Sequence, residues 1–243
     1  MGAVTGVTTS RVARKLGFAR ELTARMLARQ VAAGHELSAL GMFEQGFYDK
    51  VGFGTGSYEQ LMKFDPATLQ VDSTFRPPKR LTVRDSEAMY YAMQHRKRGH
   101  GSVTIDSKEL FKAEMNLTEH GFGLGYYDGP GGSLSHFIWG SSKGEHGPFE
   151  ITFRAYQSTE QLFELLALIK SLGDQINLVE MLEFGDIQLQ DLLKQPFRQR
   201  RATANSRFAN YSSSMAFWQV RILDLKACLA KTQLDCPTLR FNL

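Results

Sequence analysis

Cysteine is almost missing from this chain: among 243 residues only Cys228 and Cys236 occur. Two thiols at that spacing make neither a disulfide framework nor a metal-ligand set, which excludes a small disulfide-held fold and agrees with a reducing compartment. Long apolar runs are missing too. Nothing approaches the roughly 20 consecutive apolar residues of a membrane span, and residues 1–30 carry basic side chains throughout in place of an apolar signal core. A cytoplasmic protein without a membrane partner is expected. His95, His100, His120, His136 and His146 are scattered without a ligand spacing, so no metal is expected. Acid is scarce near the start, where Arg11, Arg14, Lys15, Arg20, Arg25 and Arg29 face Glu21 alone. That asymmetry fits an anionic partner or a solvated helix face. No nucleic-acid motif accompanies it, so nucleic acid is not the expected partner. What the chain has in quantity is apolar content, 42%, enough for one or two ordinary cores.

The pattern along the chain is that of an α/β protein. The β-branched run Ala3 to Thr9 reads as a strand. A basic loop follows, and then a helix from Gly17 to Ala33 with Phe18, Leu22, Met26 and Leu27 as its apolar face and Gly34 as its stop. A strand at Leu37 to Leu40, a short helix through Phe43, Phe47 and Tyr48, and a turn at Gly52 and Gly54 complete a βαβα unit with a parallel pair. Asp65 to Lys79, with Pro66, Pro77 and Pro78, reads as a connector.

Beyond it a strand at Leu81 to Val83, a helix capped by Ser86 and a helix at Lys108 to Asn116 are predicted. A three-stranded meander then runs through Phe122 to Tyr127, Leu134 to Gly140 and Phe149 to Tyr156. Ser158 and Gln161 resemble a capping box, opening a helix with Leu162, Leu165, Leu166, Ile169 and Leu172 at helical spacing. A strand at Ile176 to Phe184 and a helix at Ile187 to Leu193 repeat the βαβα order of the first unit, which points to an internal duplication. A strand at Met215 to Asp224 and a helix at Leu225 to Lys231 follow.

Chemistry concentrates in Arg14-Lys15-Leu16-Gly17-Phe18-Ala19, between the first strand and the first helix. Gly17 and Ala19 leave room for close approach, so backbone N–H groups at a helix N-terminus can meet phosphate oxygens. Arg11, Arg14 and Lys15 add positive charge beside them. This R-x-x-G-x-A pattern after a strand, with a helix, a strand and Phe43 to Gly54 behind it, resembles the GNAT-superfamily N-acetyltransferases of the enhanced-intracellular-survival (Eis-like) type.

That resemblance implies tandem GNAT-like domains with mixed sheets, the first incomplete. Residues 1–74 match the second half of a catalytic domain, 75–212 a degenerate second domain, and 213–243 the remnant of a sterol-carrier-protein-like domain, a layout truncated at both ends. It further implies acetyl-CoA as cosubstrate, with the backbone of Val7, Thr8 and Thr9 pairing with the pantetheine arm and Arg14, Lys15, Leu16, Gly17, Phe18 and Ala19 holding the pyrophosphate. Tyr48 matches the family's general acid, the acceptor is a small-molecule amine resembling an aminoglycoside or a polyamine, and the assembly is a homo-oligomer. The family's general base is the terminal carboxylate of a longer chain and is not carried over. Without the resemblance, Tyr48 reads as a core aromatic beside Phe47. The alternative for the whole chain is a noncatalytic assembly or regulatory fragment. At the equivalent junction of the second unit, Gln157 to Leu162, there is no glycine and Glu160 stands where phosphate would sit. That unit is not expected to bind CoA.

Overall fold

A computed structural model describes residues 1–41, 45–99, 107–185, 187–194, 196 and 207–232. They form two compact units, one of Met1–Tyr58 together with the chain from Ala216 onward, the other of Glu59–Met215.

The first unit opens on β1 (Gly2–Ala3), which is shorter than the strand expected for Ala3 to Thr9. Val4 N–H still donates to the Ala39 carbonyl at 2.9 Å, but Gly6 turns left-handed at φ 66° and ends the extended run. Helix α1 (Phe18–Ala32) starts where Gly17 adopts φ 85°. Ala, Arg, Leu, Met and Gln favour helix throughout, and Glu21 pairs with Arg25 at 2.8 Å across one turn. Its buried positions are Thr23, Leu27 and Gln30, whereas Phe18 and Leu22 are 58% and 52% exposed. The face expected to be apolar therefore points largely outward. Thr23 and Gln30 are accommodated inside because each bonds to backbone, Thr23 to the Ala19 carbonyl at 2.8 Å and Gln30 to the Ala3 carbonyl at 3.0 Å.

After Gly34 at φ 78°, β2 (Leu37–Gly41) lies parallel to β1, with Gly2 opposite Ser38. Helix α2 (Gln45–Tyr48) and a tight turn ending at Gly52 lead to β3 (Gly54–Thr55). Phe43, expected in this helix, lies outside the described residues.

The second unit is built on a seven-stranded sheet. It begins with β4 (Glu59–Phe64), after which Leu69 and Val71 are buried in its main core. The proline-marked stretch read as a connector is thus packed as part of this unit, because its two aliphatic side chains have a core to enter. The chain continues through β5 (Lys79–Leu81), α3 (Ser86–His95) and α4 (Lys108–Leu117). Thr82 and Asp85 form the capping box ahead of α3, so Ser86 is its first residue and not its cap. Ser107 accepts from the Leu110 N–H at 3.2 Å and caps α4.

The meander β6 (Phe122–Tyr126), β7 (His136–Ser142) and β8 (Phe149–Ala155) is antiparallel, as its turns predict. Helix α5 (Thr159–Ser171) begins at Ser158, and Gln161 reaches back to the Gln157 N–H at 2.7 Å. The strand after it is β9 (Val179–Leu182), and the predicted helix at Ile187 to Leu193 is a 3-10 turn over Leu189–Leu192. β10 (Tyr211–Met215) pairs with β4 at the sheet's edge.

Alternation along β7 sends Ile138 into the cluster of α5, and Phe137 and Trp139 into that of α3 and α4, so helices cover both sides of the sheet. On α5, Leu162, Leu165, Leu166, Leu168 and Ile169 are all buried, each contributing about 1.5–3 kcal/mol of apolar transfer. Gly140 carries the bulge against β8: a Cβ there would stand 1.9 Å from the Glu150 carbonyl oxygen.

The chain then returns to the first unit. β11 (Trp218–Ile222) is antiparallel to both of its neighbours and sits between β2 and β3, giving the order β1-β2-β11-β3. α6 (Leu225–Lys231) is capped by Asp224, and Lys231 pairs with Glu36 at 2.5 Å. In both units a helix joins parallel strands, α1 between β1 and β2, and α5 between β8 and β9. This is the repeat the sequence suggested.

Candidate functional site

The stretch from Val4 to α1 is where the parallel strands of the first unit part. Val4 makes the last rung with β2, and none of the backbone–backbone bonds among the described residues involves Val7, Thr8 or Thr9. Thr8 is exposed, and Val7 and Thr9 are half-buried. A 3-10 turn at Arg11–Ala13 follows, then Arg14 in extended conformation, Lys15 at φ 65° and Gly17 at φ 85°. Lys15 is a left-handed residue with a side chain, a conformation that costs on the order of 1 kcal/mol and gathers at sites of function. Such successions of turn and left-handed residues make backbone concavities that receive anions.

Gly17 is the N-cap of α1, and no side chain caps the helix there. A Cβ built on it meets nothing within 4 Å. The first N–H groups of α1 therefore open without side-chain cover at the positive end of a 15-residue helix. Arg14, Lys15, Leu16 and Phe18 are exposed around them, and Ala19 is half-buried.

Tyr48 lies elsewhere in the same unit's core. It is 4% exposed and clusters with Val4, Leu27, Leu40, Val51 and Phe53. Phe47 meets its ring edge-on at 4.9 Å and Phe53 at 6.2 Å. The core-aromatic description thus fits Tyr48, and Leu27 links it through packing to the underside of α1.

The equivalent junction of the second unit is different. α5 starts on a side-chain cap, with Ser158 accepting from Gln161 N–H, so one of its first amides is already engaged. β8 and β9 pair at Phe149, Glu150 and Ile151 and then separate. Arg154 bridges the gap, donating to the Glu183 carbonyl at 2.7 Å and lying over the Phe184 ring at 5.0 Å. Burial lowers its pKa to about 10, which leaves it charged at neutral pH. The second unit fills with its own side chains the space that the first leaves open.

One cluster escaped the sequence reading. Asp128, His136 and Glu164 bring ligand-type atoms within 4.8 Å of one another, although they come from a loop, from β7 and from α5, at a spacing no motif describes. Arg76 meets their charge, reaching Asp128 at 2.6 Å and Glu164 at 2.8 Å. His136 Nε2 lies 3.0 Å from Glu164 and Nδ1 lies 2.8 Å from the Ser135 hydroxyl. The hydrogen bond from Arg76 holds the Glu164 carboxyl at about 2, far below the usual range. Burial lowers His136, so the imidazole is neutral at pH 7, with Nε2–H donating to the carboxylate. Tyr126 stacks on His136 at 4.5 Å and donates to the Arg76 carbonyl at 2.9 Å. The network fixes the Arg76 segment against α5.

Residues 1–56 match the family model of an acetyltransferase (GNAT) domain. No curated protein matches the chain. Among solved structures it superposes on a conserved protein of Enterococcus faecalis V583, a probable N-acyltransferase, with TM-score 0.74 and 18% identity, covering 94% of this chain and 56% of that one. Eis1 from Mycobacterium abscessus gives TM-score 0.72 and 14% identity over 94% of this chain and 57% of its own. A GCN5-related N-acetyltransferase from Anabaena variabilis ATCC 29413 gives 0.68 and 14% over 92% and 55%. At such identities the likeness is one of fold, a mixed α/β GNAT fold with mixed sheets. The chain spans little more than half the length of these structures.

Proposed function

We propose that this GNAT-fold chain is built to bind acetyl-CoA and to transfer its acetyl group to an amine of a small, aminoglycoside- or polyamine-like molecule. The observation that carries the reading is the uncovered start of α1, where Gly17 at φ 85° faces open space. The amides beyond it would receive the diphosphate, Arg14 and Lys15 would neutralise it, and the backbone of Val7, Thr8 and Thr9, without a backbone partner among the described residues, would run beside the pantetheine arm. In the transfer the amine nitrogen attacks the acetyl carbon, the C–N bond forms and the C–S bond breaks. Tyr48 would supply a proton to the departing thiolate and be reprotonated by the proton that the amine nitrogen loses. Its place in the core, tied by packing to Leu27 of α1, supports a hydroxyl held in fixed orientation. The filled strand gap of the second unit supports a structural role for that half.

The test is calorimetric titration of the folded chain with CoA, alongside Arg14→Ala. Saturable binding, weakened about tenfold or more by loss of a charge-assisted contact worth about 1.5–3 kcal/mol, is expected. No heat at millimolar CoA, with far-UV dichroism showing a folded chain, would overturn the assignment. A second reading, a noncatalytic assembly or regulatory protein, draws on the burial of Tyr48. An oligomer on size-exclusion chromatography that binds CoA without acetyl transfer to any polyamine would favour it.

A further inference from the structure

The turn that carries Tyr48 is held by residues from far down the chain. Phe47 and Phe53, which flank the Tyr48 ring, belong to the same short segment, and Phe53 N–H closes it by donating to the Tyr48 carbonyl at 3.3 Å. Both move with the turn and cannot fix it against the sheet. Val4, Leu27 and Leu40 share a cluster with Tyr48, but apolar contacts are non-directional. Directional ties come from β11. Gln219 Nε2 donates to Asp49 Oδ1 at 2.9 Å, Arg221 donates to the Val51 carbonyl, and Val220 pairs with Gly54. A Cβ on Gly52 would stand 3.1 Å from the Arg221 guanidinium carbon, so a glycine there gives Arg221 room to reach the turn.

We infer that Gln219 is a positioning residue for the transfer: acting through Asp49, it fixes where the Tyr48 hydroxyl stands, and Arg221 braces the same turn at Val51. The inference rests on the acyltransferase reading above and deepens it by naming what orients its proton donor. Gln219 is 0% exposed and stands opposite Leu40 of β2, so it shares a sheet face with a residue of the Tyr48 cluster. Its Oε1 is buried without a hydrogen-bond partner among the described residues. An unpaired carbonyl in a core is destabilising, and a leucine or methionine there would bury apolar surface without that cost. Packing therefore does not account for glutamine at this position, whereas the bond to Asp49 does. That bond joins a buried side chain to an exposed residue, the one next in sequence to Tyr48. Since β11 also pairs with β2, it registers the turn against the strand that parts from β1 at the candidate site. A general acid works only within hydrogen-bond reach of the atom it protonates, so the turn's placement bears directly on the rate.

The experiment measures acetyl transfer from acetyl-CoA to spermidine and to neomycin by the full chain, with urea denaturation of each variant alongside. Gln219→Met removes the amide at similar volume. It should lower kcat about tenfold to 100-fold and leave the KM for acetyl-CoA within about twofold, because the Arg14 to Ala19 loop is untouched. Asp49→Ala should match it, and the two together should lose no more than either alone. Asp49→Asn, which keeps the acceptor oxygen, should restore most of the rate. A structural role alone would lower the urea midpoint and leave the folded chain's kcat within about twofold of the parent, and that result overturns the proposal while the acyltransferase reading stands. Losses that add in the double variant overturn it too. Should Gln219→Met not fold, Asp49→Ala at its exposed position decides, and a parental kcat there refutes the positioning role. No transfer by the parent chain, or parental turnover in Tyr48→Phe, removes the transfer reading and this inference with it.

Discussion

Gly17→Ala separates the two things Gly17 does. Its φ of 85° is a left-handed conformation, and a Cβ there meets no atom within 4 Å, so the cost to folding is backbone strain with no clash. Strain of about 1–2 kcal/mol for a non-glycine residue is offset by about 0.4–1 kcal/mol from a stiffer unfolded chain, leaving a net loss of about 1 kcal/mol. In urea the midpoint should fall with the slope unchanged. The effect on ligand is separate and larger. A methyl group set before the first amides of α1 holds a diphosphate off, and losing one hydrogen bond to a charged group, about 1.5–3 kcal/mol, weakens CoA binding roughly tenfold to 150-fold. Calorimetry with CoA on the folded variant reads this directly. If stability drops as expected while affinity changes less than about threefold, the amides behind Gly17 do not hold the phosphates, and the reasoning fails at its base.

Tyr48→Phe keeps the ring packed against Phe47 and Phe53 and should leave a folded protein whose kcat for acetyl transfer is lower by about 10²–10⁴, the contribution of a lost proton donor. Tyr48→Ala, by contrast, should cost about 3–5 kcal/mol in chemical denaturation as an emptied core site. Glu164 titrates near 2 in the folded protein, below its value in an unfolded chain. Its stabilisation is therefore complete above the unfolded value and is lost as pH falls from about 4.3 through 2. His136, lowered by burial, loses stability in the same direction, beginning as pH falls through the unfolded histidine value near about 6.5. Melting curves of Glu164→Gln between pH 7 and pH 2.5 should show a lower Tm at neutral pH and a shallower acid decline than the parent. Gly140→Ala should be far worse than Gly17→Ala, on the order of 3 kcal/mol or more, because its Cβ would stand 1.9 Å from a backbone oxygen. A denaturation midpoint within error of the parent would contradict the bulge geometry.

What the sequence discloses follows from how local each cause is. The buried face of α5 was legible because Leu162, Leu165, Leu166 and Ile169 obey one periodicity, and the meander because its turns carry glycine and proline. Helix α1 misleads for an equally physical reason. Thr23 and Gln30 are polar, and they are buried because backbone carbonyls at Ala19 and Ala3 take their hydrogen bonds. No hydropathy pattern anticipates that exchange, so the apolar stripe was assigned to the core. The loop at Arg14 to Ala19 was singled out by its local chemistry, and Gly17 does open the helix. The grouping of Arg76, Asp128, His136 and Glu164 has no signature, since packing alone assembles it across a loop, a strand and a helix. The placement of Trp218 to Ile222 beside Leu37 to Gly41 is hidden for the same reason.

That last pairing sets an order of events during synthesis. With Val220 opposite both Ala39 and Gly54, the small sheet has a vacant lane until the ribosome has released residues far downstream. Glu59 to Met215, whose strands all lie within that stretch, can condense while the tunnel still holds the lane's occupant. The Arg14 to Ala19 loop thus belongs to the half that must wait, with α1 and β2 packed against β1 and the cluster of Val4, Tyr48, Val51 and Phe53. Nascent chains stalled before Trp218 should leave this half open to protease, and extending them past Ile222 should close it, with the slow kinetics that distant strand pairing imposes.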